Sequence, residues 1–224
     1  MRRSLLVLVL LAGACTLELD HAVLPGPPAL RLDPPALLLA VGEGAELDLL
    51  YRAEDGSEGE VAEASWSVDA PGPLAFDDAG RVRGLRPGLV TVTATAGGGA
   101  SGGSCPQGCA PEQPAGAGGL AASAPVMVLA APVTAIEIAP AELELALGHS
   151  AALAAAAALA PEGDAGTGAV ADVTAAVAWS SSDPETVAVD GGRLRAIVAG
   201  AAVITARAGD LWSNEVVVTV AEGP

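Results

Sequence analysis

Lysine is absent from this chain, and ten arginines face 27 acidic residues, leaving a formal net charge of −17. A surface of that sign cannot displace counterions from a phosphate backbone, so no nucleic acid is expected as a partner, and anionic membrane surfaces repel it. Aromatic residues make up only 2% of the 224 positions. Any core must therefore rest on Leu, Val, Ile and Ala, and the aromatic platforms that carbohydrate sites normally use are restricted to Trp212 and Tyr51. Cysteines number three, Cys15, Cys105 and Cys109, and neither His21 nor His149 has ligand spacing to them, so a thiolate metal site lacks its remaining ligands. No metal and no cofactor is expected. The N-terminal apolar run, Ser4 to Ala12, is too short to span a bilayer as a helix.

That run follows Met1-Arg2-Arg3 and ends in the small residues Ala12-Gly13-Ala14, so residues 1–14 read as a charged n-region, a short h-region and a cleavage site. The expected product is exported. Cys15, directly after Leu11-Ala12-Gly13-Ala14, resembles the lipidated cysteine of bacterial lipoproteins, although Ala12 stands where the lipobox usually has leucine. An ordinary A-x-A cleavage is the alternative and would leave Cys15 a free thiol. An unpaired cysteine at the start of an exported chain favours lipid attachment, which would anchor the protein to the bacterial envelope, at the outer membrane or the cell surface. Residues 15–28 end in Pro25-Gly26-Pro27-Pro28 and read as an extended tether.

The remainder is duplicated. Ile136-Glu137-Ile138-Ala139-Pro140, Leu143-Glu144-Leu145-Ala146-Leu147-Gly148, Trp179, Val187-Ala188-Val189-Asp190 and Gly200 follow one another in the same order as Leu30-Arg31-Leu32-Asp33-Pro34, Leu37-Leu38-Leu39-Ala40-Val41-Gly42, Trp66, Leu74-Ala75-Phe76-Asp77 and Gly88. The offset is roughly 106 to 113 residues, which indicates two copies of one domain and not a solenoid of short units. The expected boundaries are 29–130 and 132–222. Apolar residues alternate at Leu37, Leu39 and Val41, at Leu47, Leu49 and Tyr51, at Ile136 and Ile138, and at Val216, Val218 and Val220. Period-two patterning broken by Gly, Pro and Asp clusters predicts short half-buried antiparallel strands, and hence an all-β fold of two tandem β-sandwiches. Ala151 to Ala160 has helical propensity, but it occupies the register of Ala45 to Tyr51 and is assigned as a strand.

The copies differ at two loops. Pro161 to Asp172 carries extra residues before the second Trp, and Ala96 to Ala122 is a Gly-rich insertion in place of the short turn at Arg207 to Leu211. The insertion contains Cys105-Pro106-Gln107-Gly108-Cys109, and in an oxidising compartment this pair is expected to form a small disulfide. Trp66 and Trp179 are expected to be structural core residues of two separate cores. Trp212 has no counterpart in the first copy and reads either as a contact residue or as packing on a sheet edge. Ser180, Ser181, Ser182 and Asp183 suit turn hydrogen bonds. The acidic stretch Glu54, Asp55, Glu58, Glu60 and Glu63 has no calcium-loop spacing and reads as a solvated loop.

The run Ile136-Glu137-Ile138 with Pro140, the Leu-x-Leu-x-Leu-Gly148 segment, Trp179-Ser180-Ser181-Ser182-Asp183-Pro184 and Gly200-Ala201-Ala202-Val203-Ile204-Thr205-Ala206 resemble the bacterial Ig-like group 2 domain, found also in intimin and invasin-type adhesins. The first copy carries Trp66-Ser67-Val68-Asp69 in place of the Trp-Ser-Ser-Ser-Asp-Pro run. The resemblance implies an Ig-like sandwich with a structural or adhesive role and no catalytic residues. His149, the one histidine within the repeats, lies in a Gly-His-Ser turn and is unsuited to orient a nucleophile. The reading is a non-catalytic envelope lipoprotein that meets a protein or glycan; a polysaccharide-binding accessory module is the alternative.

Overall fold

The computed structural model describes residues 27–61, 64–77, 80–96, 119–161 and 168–222. Every regular element among them is a strand. The first half contains β1 (Ala29–Asp33), β2 (Leu37–Ala40), β3 (Gly44–Glu46), β4 (Asp48–Arg52), β5 (Glu58–Glu60), β6 (Ala64–Val68), β7 (Leu74–Phe76), β8 (Arg81–Gly84), β9 (Gly88–Ala96) and β10 (Ala121–Leu129). The second contains β11 (Val133–Ala139), β12 (Glu142–Ala146), β13 (Ser150–Ala152), β14 (Ala154–Leu159), β15 (Val170–Asp172), β16 (Ala178–Ser181), β17 (Val187–Asp190), β18 (Arg193–Ala196), β19 (Gly200–Ala208), β20 (Leu211–Trp212) and β21 (Val216–Ala221).

The pairing repeats strand for strand. In the first half β2-β10-β9-β6 form one sheet, opposed by β1-β4-β5 and β3-β8-β7; in the second, β12-β21-β19-β16 are opposed by β11-β14-β15 and β13-β18-β17. In each half a short early strand runs parallel to the last strand, β2 with β10 and β12 with β21, while the other ladders are antiparallel. Two sheets joined this way make an Ig-like β-sandwich, and the chain is two of them in tandem. Register confirms the duplication at single-residue level, because Trp66 faces Ala94 on β9 and Trp179 faces Ala206 on β19.

The interiors follow from alternation. Along β9, Val90, Val92, Ala94 and Ala96 are buried, and along β19 Ala202, Ile204, Ala206 and Ala208 take the same places. Each fully buried valine or isoleucine contributes about 1.5–3 kcal/mol. The alanine-rich segment is extended as expected, but as two strands, β13 and β14, on either side of Leu153; Ala155 and Ala157 on β14 point inward beneath Ile136 and Ile138 of β11, and this tertiary pairing outweighs helical propensity. The insertion is shorter than its sequence suggested, since Ala96, Ala121 and Ala122 belong to the β9–β10 ladder region.

β2 departs from the alternation expected of it. Leu38 is 8% exposed although it points away from the first interior, and Val41 at the strand's end is 45% exposed. Leu38 is covered by the second half: Ala36, Leu38 and Leu129 belong to the same apolar cluster as Ile136, Val173 and Ala176. The two sandwich interiors remain separate clusters, as expected. The interior of the second half continues across the junction onto the outer face of the first.

Candidate functional site

Each tryptophan is held in the same three-part arrangement. The strand opposite breaks at Leu47 in the first half and at Leu153 in the second, where the leucine N–H donates to the carbonyl of Gly80 (3.0 Å) or Gly192 (2.8 Å). Both glycines have positive φ, 84° and 80°, and a Cβ on either would lie 3.0 Å from the indole Cζ2 of its tryptophan. The indoles are half-buried, so they seal the sandwich more than they fill it. Trp66 touches both apolar clusters of its half and meets Phe76 with ring centroids 5.4 Å apart; the Trp179 Nε1–H donates to the Thr174 carbonyl at 3.1 Å.

The polar run after Trp179 organises turns. Ser182 Oγ accepts the Val203 N–H at 2.9 Å, Ser181 Oγ accepts the Asp183 N–H at 3.3 Å, and the Asp183 carboxylate takes the Thr186 hydroxyl at 2.6 Å and the Glu185 N–H at 3.1 Å. The Thr186 hydroxyl and then its backbone N–H hold the Asp183 carboxyl below the ordinary carboxylate range. In the first half Asp69 stands in the register of Ser182 and accepts the Thr91 N–H at 2.9 Å, a bond that likewise lowers its carboxyl. The differing sequences after the two tryptophans thus hold the same neighbouring strand.

The acidic stretch is occupied locally. Asp55 accepts both the hydroxyl and the N–H of Ser57, and Glu58 pairs with Arg31 at 3.0 Å. Among the described residues no group of three or more His, Cys, Asp or Glu is placed to hold a metal ion. His149 lies in the turn after Gly148, its Nδ1 3.4 Å from the Leu147 carbonyl oxygen. Cys15, Cys105 and Cys109, and with them the lipid attachment and the disulfide, lie outside the described residues.

Trp212 is 60% exposed, on the two-residue strand β20 that pairs with the end of β19. The Arg207 guanidinium carbon lies 5.5 Å from its ring centroid, and Arg207 Nε donates to the Gly209 carbonyl at 2.8 Å. An Arg207 terminal nitrogen is 3.6 Å from the Asp33 carboxylate of the first half, and the Gly209 N–H donates to the Ala36 carbonyl at 2.8 Å. A groove of about 400 Å³ opens beside this junction, between Leu89 and Met127 on one side and Thr174, Ala176 and Gly191 on the other.

Asn214 carries no signal in the local sequence. Its side-chain Oδ1 accepts the Ile138 N–H at 2.7 Å and its Nδ2 donates to the Ile138 carbonyl at 3.1 Å, so one amide ties β11 to the segment entering β21. The junction, by contrast, left a signal: Leu37-Leu38-Leu39-Ala40 is continuously apolar where the second copy reads Leu143-Glu144-Leu145-Ala146, as expected for a strand covered on both faces.

No protein-family model matches the chain, and no curated protein sequence does either. Among solved structures, the S-layer protein SbsC, domains 5-6, is 16% identical with a TM-score of 0.33, the alignment covering 88% of this chain and 100% of that one. The longer S-layer protein rSbsC(31-844) is 18% identical with a TM-score of 0.32, and the chain spans 28% of its length. Mouse cadherin-23 EC22-24 is 14% identical with a TM-score of 0.26, over 88% of this chain and 65% of that one. At those scores the sandwich assignment rests on the strand pairing of the chain itself.

Proposed function

We propose that the protein is a non-catalytic lipoprotein of the bacterial surface or periplasm, whose two Ig-like modules, residues 29–130 and 132–222, act as a spacer and as an adhesive surface for an envelope protein. The observation that carries this reading is the strand-for-strand duplication of one sandwich, in which the polar side chains after each tryptophan hold turns and neighbouring strands. Such a chain repeats a scaffold. Support from sequence comes from the export segment ahead of Cys15 and from the likeness of Trp179 to Pro184 and its neighbouring segments to the bacterial Ig-like group 2 domain. The decisive experiment has two arms. Replacing Cys15 with Ser should shift the protein from the detergent phase to the soluble fraction, and envelope extract passed over the immobilised chain should yield one saturable protein partner. A wild type that partitions as soluble rules out the anchor, and retention of no protein rules out the adhesive role.

A second reading is favoured by one observation, the exposed indole of Trp212. It makes the chain a polysaccharide-binding accessory module. Retarded migration in gels containing envelope polysaccharide, lost in Trp212→Ala, would select it over the first.

A further inference from the structure

We infer that the two sandwiches are locked into one rigid body by a joint that uses the outer face of the first as a socket, and that Trp212 is a positioning residue of that joint. Three observations carry this. The first is a row of side chains across β2, β10 and β9: Leu38 pairs with Met127, and Met127 with Leu89, all pointing away from the first interior. The same row in the second half is Glu144, Thr219 and Ala201, and all three are exposed. The copies agree in their interiors and differ on this row: Leu38 is buried and Met127 half-buried against the second half's cluster, with Leu89 44% exposed at the row's end, whereas Glu144 and Thr219 of the second copy are polar and face water. An apolar row on a sheet face gains by being removed from water and would otherwise be an association hazard.

The second observation is continuity. Leu38 and Leu129 lie in one apolar cluster with Val173 and Ala176, and the connection Ala130-Ala131-Pro132 is itself drawn in, with Ala131 packed on that cluster and the Pro132 carbonyl accepting the Ala160 N–H at 2.8 Å. A three-residue connection with these contacts cannot act as a free swivel.

The third is the far edge of the joint, where the β19–β20 turn reaches back. The Gly209 N–H bonds the Ala36 carbonyl, and Arg207 extends to Asp33 at 3.6 Å. An exposed ion pair at that distance holds little by itself, largely because two long side chains must be ordered. Here Arg207 is already ordered from two sides, by the Gly209 carbonyl at 2.8 Å and by the Trp212 ring at 5.5 Å. An exposed tryptophan in an aromatic-poor chain thereby keeps the guanidinium aimed at the first half.

Calorimetry of the full chain tests the lock. The wild type should give one transition whose calorimetric and van't Hoff enthalpies agree. Met127→Glu, which places a carboxylate on the first half's outer face where it meets the second half's cluster, should split it into two; Thr219→Glu, the same change at the equivalent exposed position of the second half, should leave one. Two transitions in the wild type, or one in Met127→Glu, would overturn the lock. The brace is tested separately by spin labels at Ser67→Cys and Arg195→Cys in a chain whose three native cysteines are Ser. A narrow distance distribution is expected in this parent and in Trp212→Phe, and a broadened one in Trp212→Ala and Arg207→Gln. A broad distribution in the parent refutes the lock, and an unchanged narrow one in Trp212→Ala refutes the brace.

Discussion

Gly191 and Gly192 are adjacent, both with positive φ (54° and 80°), and they separate two effects that usually come together. An L-residue in the left-handed region costs roughly 1–2 kcal/mol, offset by about 0.4–1 kcal/mol because alanine restricts the unfolded chain. At Gly191 an added Cβ meets nothing within 4 Å, so Gly191→Ala should cost that difference alone, about 0–1.6 kcal/mol. At Gly192 the same Cβ would sit 2.8 Å from the Leu153 carbonyl oxygen, 3.0 Å from Trp179 Cζ2 and 3.1 Å from Thr174 Cγ2. The carbonyl cannot yield without breaking the Leu153 N–H to Gly192 bond, and the indole cannot yield without releasing its own bond to Thr174. Overpacking of this kind adds about 1–3 kcal/mol, so Gly192→Ala should cost about 1–4.6 kcal/mol in all, about 1–3 kcal/mol more than Gly191→Ala. Urea titration followed by tryptophan fluorescence, with unchanged m-values, measures both. Equal losses at the two positions would show that backbone conformation alone sets the cost and that the glycine–indole–carbonyl contact contributes nothing.

Trp179→Ala removes a half-buried indole and leaves the Thr174 carbonyl without its donor, and it should destabilise by about 2–4 kcal/mol, toward the lower end of values for large aromatic truncations. Because the second core continues onto the outer face of the first sandwich, this variant should lower the melting temperature of the whole chain in one calorimetric step. Asn214→Ala should cost about 1–2 kcal/mol for its two bonds to Ile138, and hydrogen exchange should speed up more at the Ile138 amide, whose own bond is lost, than at Val92 in the other sandwich. The carboxyls of Asp183, Asp172 and Asp69 are lowered by bonds to Thr186, Thr174 and Thr91 respectively. A carboxyl lowered on folding contributes stability that is present above its unfolded value and lost as pH falls through the folded one. The melting temperature should therefore hold from neutral pH to about 5 and fall below about 4, and Asp183→Asn should weaken that fall. An acid profile identical to the wild type in Asp183→Asn would remove Asp183 from the account.

The strands and their duplication are legible because inward positions along Leu47 to Tyr51, Ile136 to Ile138 and Val216 to Val220 carry large apolar side chains and their neighbours mostly do not, whereas the parallel pairing of β2 with β10 and of β12 with β21 left no such mark. Turn chemistry is legible for the same local reason, in Ser181, Ser182 and Asp183. What stays hidden depends on distance along the chain. Asn214 and Ile138 are 76 residues apart, and nothing near either announces the other. Gly191-Gly192 reads as a turn, but which of the two lies against an indole is fixed by Leu153 and Trp179 together. Leu38 is concealed inside a leucine run, since the outward face of a single sandwich ordinarily meets water. Only the contrast between Leu38 and Glu144, one position in two copies, betrays the junction; the pattern of either copy by itself does not.

Tension applied to the chain enters through the ends of each folded unit. In the first half, β2 near the beginning and β10 at the end lie side by side and parallel, Leu37 against Val126 through Ala40 against Leu129; β12 and β21 do the same in the second. Pulling the start of one strand away from the finish of the other slides them lengthwise. Their hydrogen bonds then bear the load together, in shear, where an antiparallel hairpin would unzip one bond after another.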